Sequence, residues 1–296
     1  MNLILKNMDK IETLFFVCMS KNCFSKLKKN LEFLVNLKNE SKFNIKILVI
    51  DSDSVDGTKK HCKDLLDKQL IDSFVEVDNL ENLYNSRIER LTICRNRSLK
   101  EIDRFKIDQF LYIPLDSDIL LFEDITTNKF ELLIKNVIED RNIEAIFPFS
   151  LPYYYDIFAL RKPGWVNNNI VKANLLKSKF RLLSFFINYY YIFRNQFPPS
   201  KFKENLIRVN SAFGGMGVYK IKNISNFKYF YSPDFTNLDM VSEHISFNKN
   251  FENLFIKKDW NIPAPKGYIF FNTYTFFGKF IYFLKSIKNN LVTIDK

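Results

Sequence analysis

Phe110-Leu-Tyr-Ile-Pro-Leu-Asp-Ser-Asp118 reads as a buried strand that ends in two carboxylates one residue apart. Alternate side chains of an extended segment point to the same side, so Asp116 and Asp118 are expected to share one. A second apolar run, Ile119 to Phe122, follows. Paired hard oxygen ligands at the mouth of a strand suit a divalent cation carrying a diphosphate. The competing explanation is an ordinary turn at a strand end, so the neighbouring segments have to decide.

Outward from this stretch, short apolar runs alternate with helical patterns. Thr13 to Met19, Ile45 to Ile50, Phe74 to Val77 and Glu144 to Phe149 read as further strands. Ser25 to Leu37, Thr58 to Leu70, Ser86 to Glu101 and Phe130 to Glu139 carry apolar residues at helical spacing. Such alternation predicts an α/β fold, a mostly parallel sheet covered on both faces. Ligands of such sheets bind at the carboxyl ends of the strands. Three polar clusters fall at those ends: Ser20-Lys21-Asn22, Asp51-Ser-Asp53 and Asp116-Ser-Asp118. Unrelated turns would not repeatedly place carboxylates on one edge.

The chain has 296 residues, 47% of them apolar, enough for one large domain. A soft boundary near Phe149 divides it into a nucleotide-binding half, 1–150, and a less regular acceptor-binding and catalytic half, 151–265. An aromatic and basic tail, 266–296, follows. The net charge of +11 favours polyanionic partners, namely a phosphorylated substrate or an anionic membrane surface. Nucleic acid ranks last, because no zinc-finger, helix-turn-helix or RNA-binding signature accompanies the charge. Cys18, Cys23, Cys62 and Cys94 form no Cys-x-x-Cys pair, which argues against structural zinc and for a reducing compartment. The first thirteen residues lack the apolar stretch of a signal peptide, and no apolar run reaches the roughly 20 residues of a membrane span. A cytoplasmic location is expected, with attachment to a membrane surface as its variant. Leu175 to Phe197 and Phe270 to Leu291 are the aromatic-basic stretches suited to such attachment.

Further clusters carry chemistry. In Asp51-Ser-Asp-Ser-Val-Asp-Gly-Thr58, short polar side chains can bond a base edge and ribose hydroxyls, or simply build an Asx-rich turn. Arg95-Asn96-Arg97 precedes the Asp116 strand. Arginine suits bidentate phosphate contact, and the alternative is a solvated basic helix face shared with Arg87, Arg90 and Lys100. Glu243-His244 offers a carboxylate for acid/base or sugar-binding work and a metal-ligating imidazole; the plainer alternative is the first turn of a packed helix starting at Ser242.

The order Asp51-x-x-Ser-x-Asp-Gly-Thr58, Arg95-Asn96, Leu115-Asp-Ser-Asp118 resembles the signature of GT-A nucleotide-sugar glycosyltransferases. Farther on, Tyr154-Tyr-Asp-Ile-Phe-Ala-Leu-Arg161, Trp165, Asn210-Ser-Ala-Phe-Gly-Gly-Met-Gly217 and Ser242-Glu-His-Ile-Ser-Phe247 are similar to the fungal capsule-associated alpha-1,3-mannosyltransferase family and its bacterial relatives. The blocks span residues 13 to 250. The resemblance implies a GT-A-like fold and a metal-dependent glycosyltransferase. Such an enzyme moves a hexose, mannose by the subfamily resemblance, from a nucleotide sugar to a glycan or lipid-linked acceptor in polysaccharide or glycoconjugate synthesis. It implies Mn²⁺ or Mg²⁺ at Asp116 and Asp118 with His244 as a further ligand. Ser20, Asp51 and Asp53 would line the nucleoside pocket, and Arg95, with Asn96, would approach the base or pyrophosphate. Asp118 is the first choice as metal ligand, and the alternative role for Asp116 is contact with the ribose or a metal-bound water. Gly214 and Gly215 would let backbone amides approach a sugar, while Asp156, Arg161 and Glu243 would face the sugars, Glu243 and Asp156 as the catalytic carboxylates.

Two rival readings fit parts of the pattern. A nucleotidyltransferase also uses paired carboxylates on an α/β sheet, but Phe16-Val-Cys-Met-Ser-Lys-Asn22 lacks the glycines of its phosphate loop. A non-catalytic peripheral-membrane or glycan-binding protein would have no need of an intact Asp116 and Asp118.

Overall fold

The computed structural model describes residues 11–166, 184–231 and 242–265. Its centre is one sheet of eight strands: β1 (Thr13–Ser20), β2 (Asn44–Asp51), β3 (Ser73–Glu76), β4 (Gln109–Asp116), β5 (Ala145–Leu151), β6 (Leu206–Val209), β7 (Val218–Lys222) and β8 (Leu254–Pro263). Their order across the sheet is β3-β2-β1-β4-β7-β5-β8-β6. The first four are mutually parallel, as the alternation predicts. β7 then enters antiparallel to both β4 and β5, β8 runs parallel to β5, and β6 closes the edge antiparallel to β8. The sheet is thus mixed and mostly parallel, and it takes strands from both sides of residue 150.

The sheet is two-sided because its strands are apolar on both faces. In β1, Phe15 and Val17 enter one core cluster while Leu14, Phe16 and Cys18 enter the other. Helix α1 (Phe24–Glu40) buries Leu27, Leu31, Leu34 and Leu37 at helical spacing against the second cluster. Helices α2 (Thr58–Asp67), α3 (Leu80–Leu83), α4 (Arg87–Asp103) and α5 (Thr127–Glu139) complete the first part of the chain. Short helices α6 (Ser184–Tyr191) and α7 (Glu243–Asn248) belong to the second. Among the described residues no helix is long and apolar enough to cross a membrane. The aromatic-basic stretch from Phe270 lies outside the described residues, as do Leu175 to Leu183 of the earlier one.

Two devices fix the carboxyl edge. The parallel register sets Ser20 beside Asp51 and Met19 beside Asp116, so the three polar clusters emerge together. Ser86 then starts α4 by accepting a hydrogen bond from the Glu89 amide at 3.3 Å, with Glu89 at the third helical position as in a capping box. That start places Arg87 at the edge and turns Arg95, two turns on, into the protein.

Candidate functional site

A groove at this edge has two compartments that meet at Arg87, Leu91, Asp116 and Asp118. The first, of about 420 Å³, is lined by Ser20, Lys21, Ser52, Arg90 and Cys94 among others. The second, of about 330 Å³, is lined by Arg95, Tyr155, Asp156, Phe213, Glu243 and His244 among others. Both volumes suit small-molecule ligands.

Asp116 and Asp118 are half-buried, and the intervening Ser117 turns inward, where its hydroxyl lies beside Cys18. The two carboxylates therefore share the groove side, as the alternation predicts. Asp118 lies in the turn just past β4, and its backbone carbonyl accepts from Lys26 Nζ at 2.6 Å. No described residue pairs with its carboxylate. Burial raises the pKa of Asp116; the neighbouring Asp118 and Glu243 add to the shift and Arg95 opposes it.

Beneath the groove lies Arg95, with 1% of its surface exposed. Its Nη2 donates to Asp116 Oδ1 at 2.9 Å and its Nε to Glu243 Oε1 at 2.8 Å. The guanidinium also lies over the rings of Phe213 and Tyr229. Arg95 thus spends two of its donor groups on the protein's own carboxylates, holding them in place. Asn96 is turned from the groove: its amide donates to the Tyr229 carbonyl and accepts from the Tyr229 amide, both at 2.9 Å.

The acidic turn after β2 is organised in the same inward way. Asp51 is fully buried and accepts from the Ser20 and Ser54 hydroxyls and the Ser54 amide, with its pKa raised by burial against those hydrogen bonds. Ser20 and Ser52, rather than Asp51, line the first compartment. Asp53, at φ +58°, accepts from the backbone amides of Asn79 and Glu81 and so fixes the start of α3.

On the far side, α7 begins at Ser242, whose hydroxyl accepts from the His244 amide at 3.4 Å. Asn248 fastens the helix by donating to Ser211 Oγ and the Ala212 carbonyl and accepting from Tyr219 Oη. His244 is 3% exposed and stacks on Phe213 with ring centres 3.6 Å apart. Both of its ring nitrogens are buried and outside hydrogen-bond distance of a partner, with Nε2 3.6 Å from Glu243 Oε1. Burial, then the nearby Arg95 charge, drives its pKa well below the usual histidine value, leaving a neutral ring.

Asp156 accepts from the Gly214 amide at 3.0 Å and the Ala159 amide at 3.3 Å, and burial raises its pKa against these bonds. Gly214 and Gly215, both at positive φ, serve the protein's own packing. The Gly214 amide is taken by Asp156, and the Gly215 carbonyl accepts from the Asp116 amide at 2.8 Å. A Cβ on Gly215 would lie 2.5 Å from Tyr155 Oη. Arg161 directs its guanidinium to the carbonyls of Phe158 and Leu160.

The structure therefore brings Ser20, Arg95, Asp116, Asp118, Asp156, Glu243 and His244 to one groove. Asp51, Asp53, Asn96, Arg161 and the two glycines are committed to contacts within the chain, because each finds its polar partners in nearby backbone or side chains. Arg87 lines both compartments, yet its sequence context is that of a solvated basic helix face; the Ser86-x-x-Glu89 cap was the signal that could have placed it.

The anticipated three-ligand set of Asp116, Asp118 and His244 is not assembled. Among the described residues no group of three or more His, Cys, Asp or Glu side chains could hold a metal ion. Two half-buried carboxylates still fit a hard divalent ion, since Mg²⁺ is commonly held by one or two carboxylates with substrate phosphates completing its shell.

No family model matches the chain. No curated protein matches it either. Among solved structures it is similar to Mycobacterium tuberculosis glucosyl-3-phosphoglycerate synthase in complex with Mn²⁺, uridine-diphosphate and glucosyl-3-phosphoglycerate. The identity is 11% over 86% of this chain and 72% of that one, with a TM-score of 0.42. It is also similar to S. aureus TarS 1-349, at 10% identity over 86% and 61% of the two chains and a TM-score of 0.44. Mannosyl-3-phosphoglycerate synthase from Rubrobacter xylanophilus matches at 13% identity over 86% and 67%, with a TM-score of 0.42.

Proposed function

We propose that the protein is a metal-dependent glycosyltransferase that moves a hexose from a nucleotide sugar to a glycan or lipid-linked acceptor. The observation that carries this reading is the position of Asp116 and Asp118, which line both compartments of one groove. A donor's diphosphate placed at these carboxylates has room for its nucleoside on one side and for an acceptor on the other.

In this reading Ser20, Lys21, Ser52 and Arg90 surround the nucleoside and Arg87 meets the diphosphate. Asp116 and Asp118 hold Mn²⁺ or Mg²⁺. Such an ion acts as a Lewis acid for the negative charge that builds as the nucleoside diphosphate leaves. Arg95 keeps Asp116 and Glu243 in place from below. Transfer breaks the bond from the anomeric carbon to the diphosphate oxygen and forms one to the acceptor oxygen, whose proton must be taken up. Asp156 and Glu243 line the second compartment as candidates for that base, and Asp156 is favoured because Glu243 is already bonded to Arg95. Mannose and the capsule-associated subfamily are the finer form of this proposal, supported by the sequence blocks from Tyr154 to Phe247.

The exposed rings of Phe186 and Tyr190, with Arg194 over the Tyr190 ring, support contact with an anionic membrane surface. A soluble nucleotide-sugar donor and four unpaired cysteines support a cytoplasmic site of action.

A thermal-shift screen of nucleotide sugars with and without Mn²⁺ tests the proposal, because a ligand bound to the folded state raises its melting temperature. One donor class is expected to stabilise the protein only when Mn²⁺ is present. A flat response across GDP- and UDP-sugars would overturn it.

A further inference from the structure

Helix α1 is apolar on its inner face except at one place. Leu27, Leu31, Leu34 and Leu37 enter the core, and Asn30, 2% exposed, stands among them. A buried amide among leucines is costly unless its polar groups are bonded. Asn30 bonds a stretch distant in the sequence. Its Nδ2 donates to the Ile119 carbonyl at 2.7 Å, and its Oδ1 accepts from the Leu121 amide at 3.1 Å. The contact continues in both directions along one helix face. One turn earlier, Lys26 Nζ donates to the Asp118 carbonyl at 2.6 Å. One turn later, Phe33 stacks on Phe122 with ring centres 4.3 Å apart and planes 5° apart. The chain from Asp118 to Phe122 is therefore laid out along α1. The helix itself is fixed at its start, where the Phe24 amide donates to Asp56 Oδ2 at 2.9 Å and Asn22 Oδ1 accepts from the Val55 amide at 2.8 Å.

We infer that Asn30 is a positioning residue for the divalent ion, acting through the backbone of the turn that carries Asp118. The inference rests on the metal-holding role proposed for that carboxylate, and it goes beyond it by naming what aims the group. Asp118 has no side-chain partner among the described residues, so the direction of its carboxylate follows from its backbone. Asp116 is held differently: β4 pairing fixes its backbone and Arg95 bonds its carboxylate. The two aspartates are thus set by different helices, Asp116 from α4 and Asp118 from α1. A small hard ion tolerates little error in the placement of its oxygen ligands. Groups behind metal ligands accordingly contribute about 10- to 100-fold in affinity. Asn30 carries no charge, so its effect on a cation comes through position. A leucine at this place would pack like its neighbours but would leave the Ile119 carbonyl and the Leu121 amide unbonded in the core.

Manganese binding tests the inference without recourse to turnover. The EPR signal of free Mn²⁺, titrated with the full chain and UDP or GDP against a nucleotide-only blank, gives a dissociation constant. Asp118→Asn should abolish the binding. Asn30→Ala is expected to weaken it about 10-fold, the lower end of the range for groups behind metal ligands. Asn30→Gln keeps the donor and the acceptor on a longer stem and should fall between the parent protein and the alanine variant. It takes the place of that variant if the alanine protein does not fold. Phe33→Leu, on the same face of α1, is the comparator for stability alone: it should lower the melting temperature and leave the dissociation constant unchanged. A constant equal to the parent's in the folded Asn30 variants would overturn the inference while the metal site stands. So would a Phe33→Leu protein that loses Mn²⁺ affinity as far as they do. A parent protein that takes up no Mn²⁺ with either nucleotide, or no more than Asp118→Asn does, would remove the metal reading and the inference with it.

Discussion

Arg95 Nη2 stands 2.9 Å from Asp116 Oδ1 beneath the groove, in a pocket that leaves the arginine 1% exposed. The same guanidinium reaches Glu243, so one buried cation ties the end of β4 to the start of α7. Removing it leaves two carboxylates close together without their counter-charge. Breaking a buried pair by deleting one partner typically costs about 3–5 kcal/mol. Arg95→Met is expected to lose stability on that scale in urea unfolding, and Arg95→Lys to lose less. A loss below about 1 kcal/mol for the methionine variant would show that the pair is not a structural tie.

Asp118 makes the opposite prediction. It sits in a turn, half-buried, and no described residue pairs with its carboxylate. Asp118→Asn should therefore change folding stability by no more than about 0.5 kcal/mol. Mn²⁺-dependent transfer should be abolished in the same variant. Turnover close to that of the parent protein would contradict the metal-holding role.

Gly215 tests the packing behind the aspartates. At φ +84° a side chain is strained, and its Cβ would meet Tyr155 Oη at 2.5 Å and Ile119 Cδ1 at 2.8 Å. Gly215→Ala is expected to cost about 2 kcal/mol or more, from left-handed backbone strain together with the clash. Adding Tyr155→Phe removes the hydroxyl and should recover part of the loss. Thermal unfolding of the single and double variants measures the coupling, and strict additivity would show that the hydroxyl is not the obstacle.

The cysteines report on the first compartment. Burial pushes the thiols of Cys23 and Cys62 up to about 12, raises Cys18 further, and pushes Cys94 to about 11. Thiolate is the reactive form, so at pH 8 the folded protein should react slowly with a disulfide reagent. Cys94 borders the cavity and should be modified first. GDP or UDP with Mn²⁺ should protect it, and faster labelling of Cys18, deep in β1, would contradict the described edge.

The first five strands were legible because each is a short apolar run between polar turns, and their helices carried the complementary spacing. The strand read from Thr13 to Met19 ends in the structure at Ser20, and the one read from Ile45 to Ile50 at Asp51. The convergence of Asp116 and Asp118 on one edge followed from parallel pairing alone. The insertion of β7 between β4 and β5 was not legible, because the Tyr112–Tyr219 register joins residues far apart in sequence. Nor was the inward use of Asp51, Arg95, Asn96 and Gly214. A sequence shows which groups can bond a ligand, but only the folded chain shows which have already bonded one another. His244 displays the converse, since its missing partners become visible only once its surroundings are known.

The insertion of β7 also sets an order of assembly. β1 to β4 come from a continuous stretch, Thr13 to Asp116, and can pair as that stretch leaves the ribosome. β5 follows soon afterwards but has no hydrogen bonds to β4; Val218–Lys222 must arrive between them. Until about one hundred further residues have been made, at roughly 5–20 residues per second, the inner edge of β4 is an uncovered strand. Open strand edges recruit other chains. The nascent protein thus passes through about 5–20 s in which the middle of its sheet stands open to other chains.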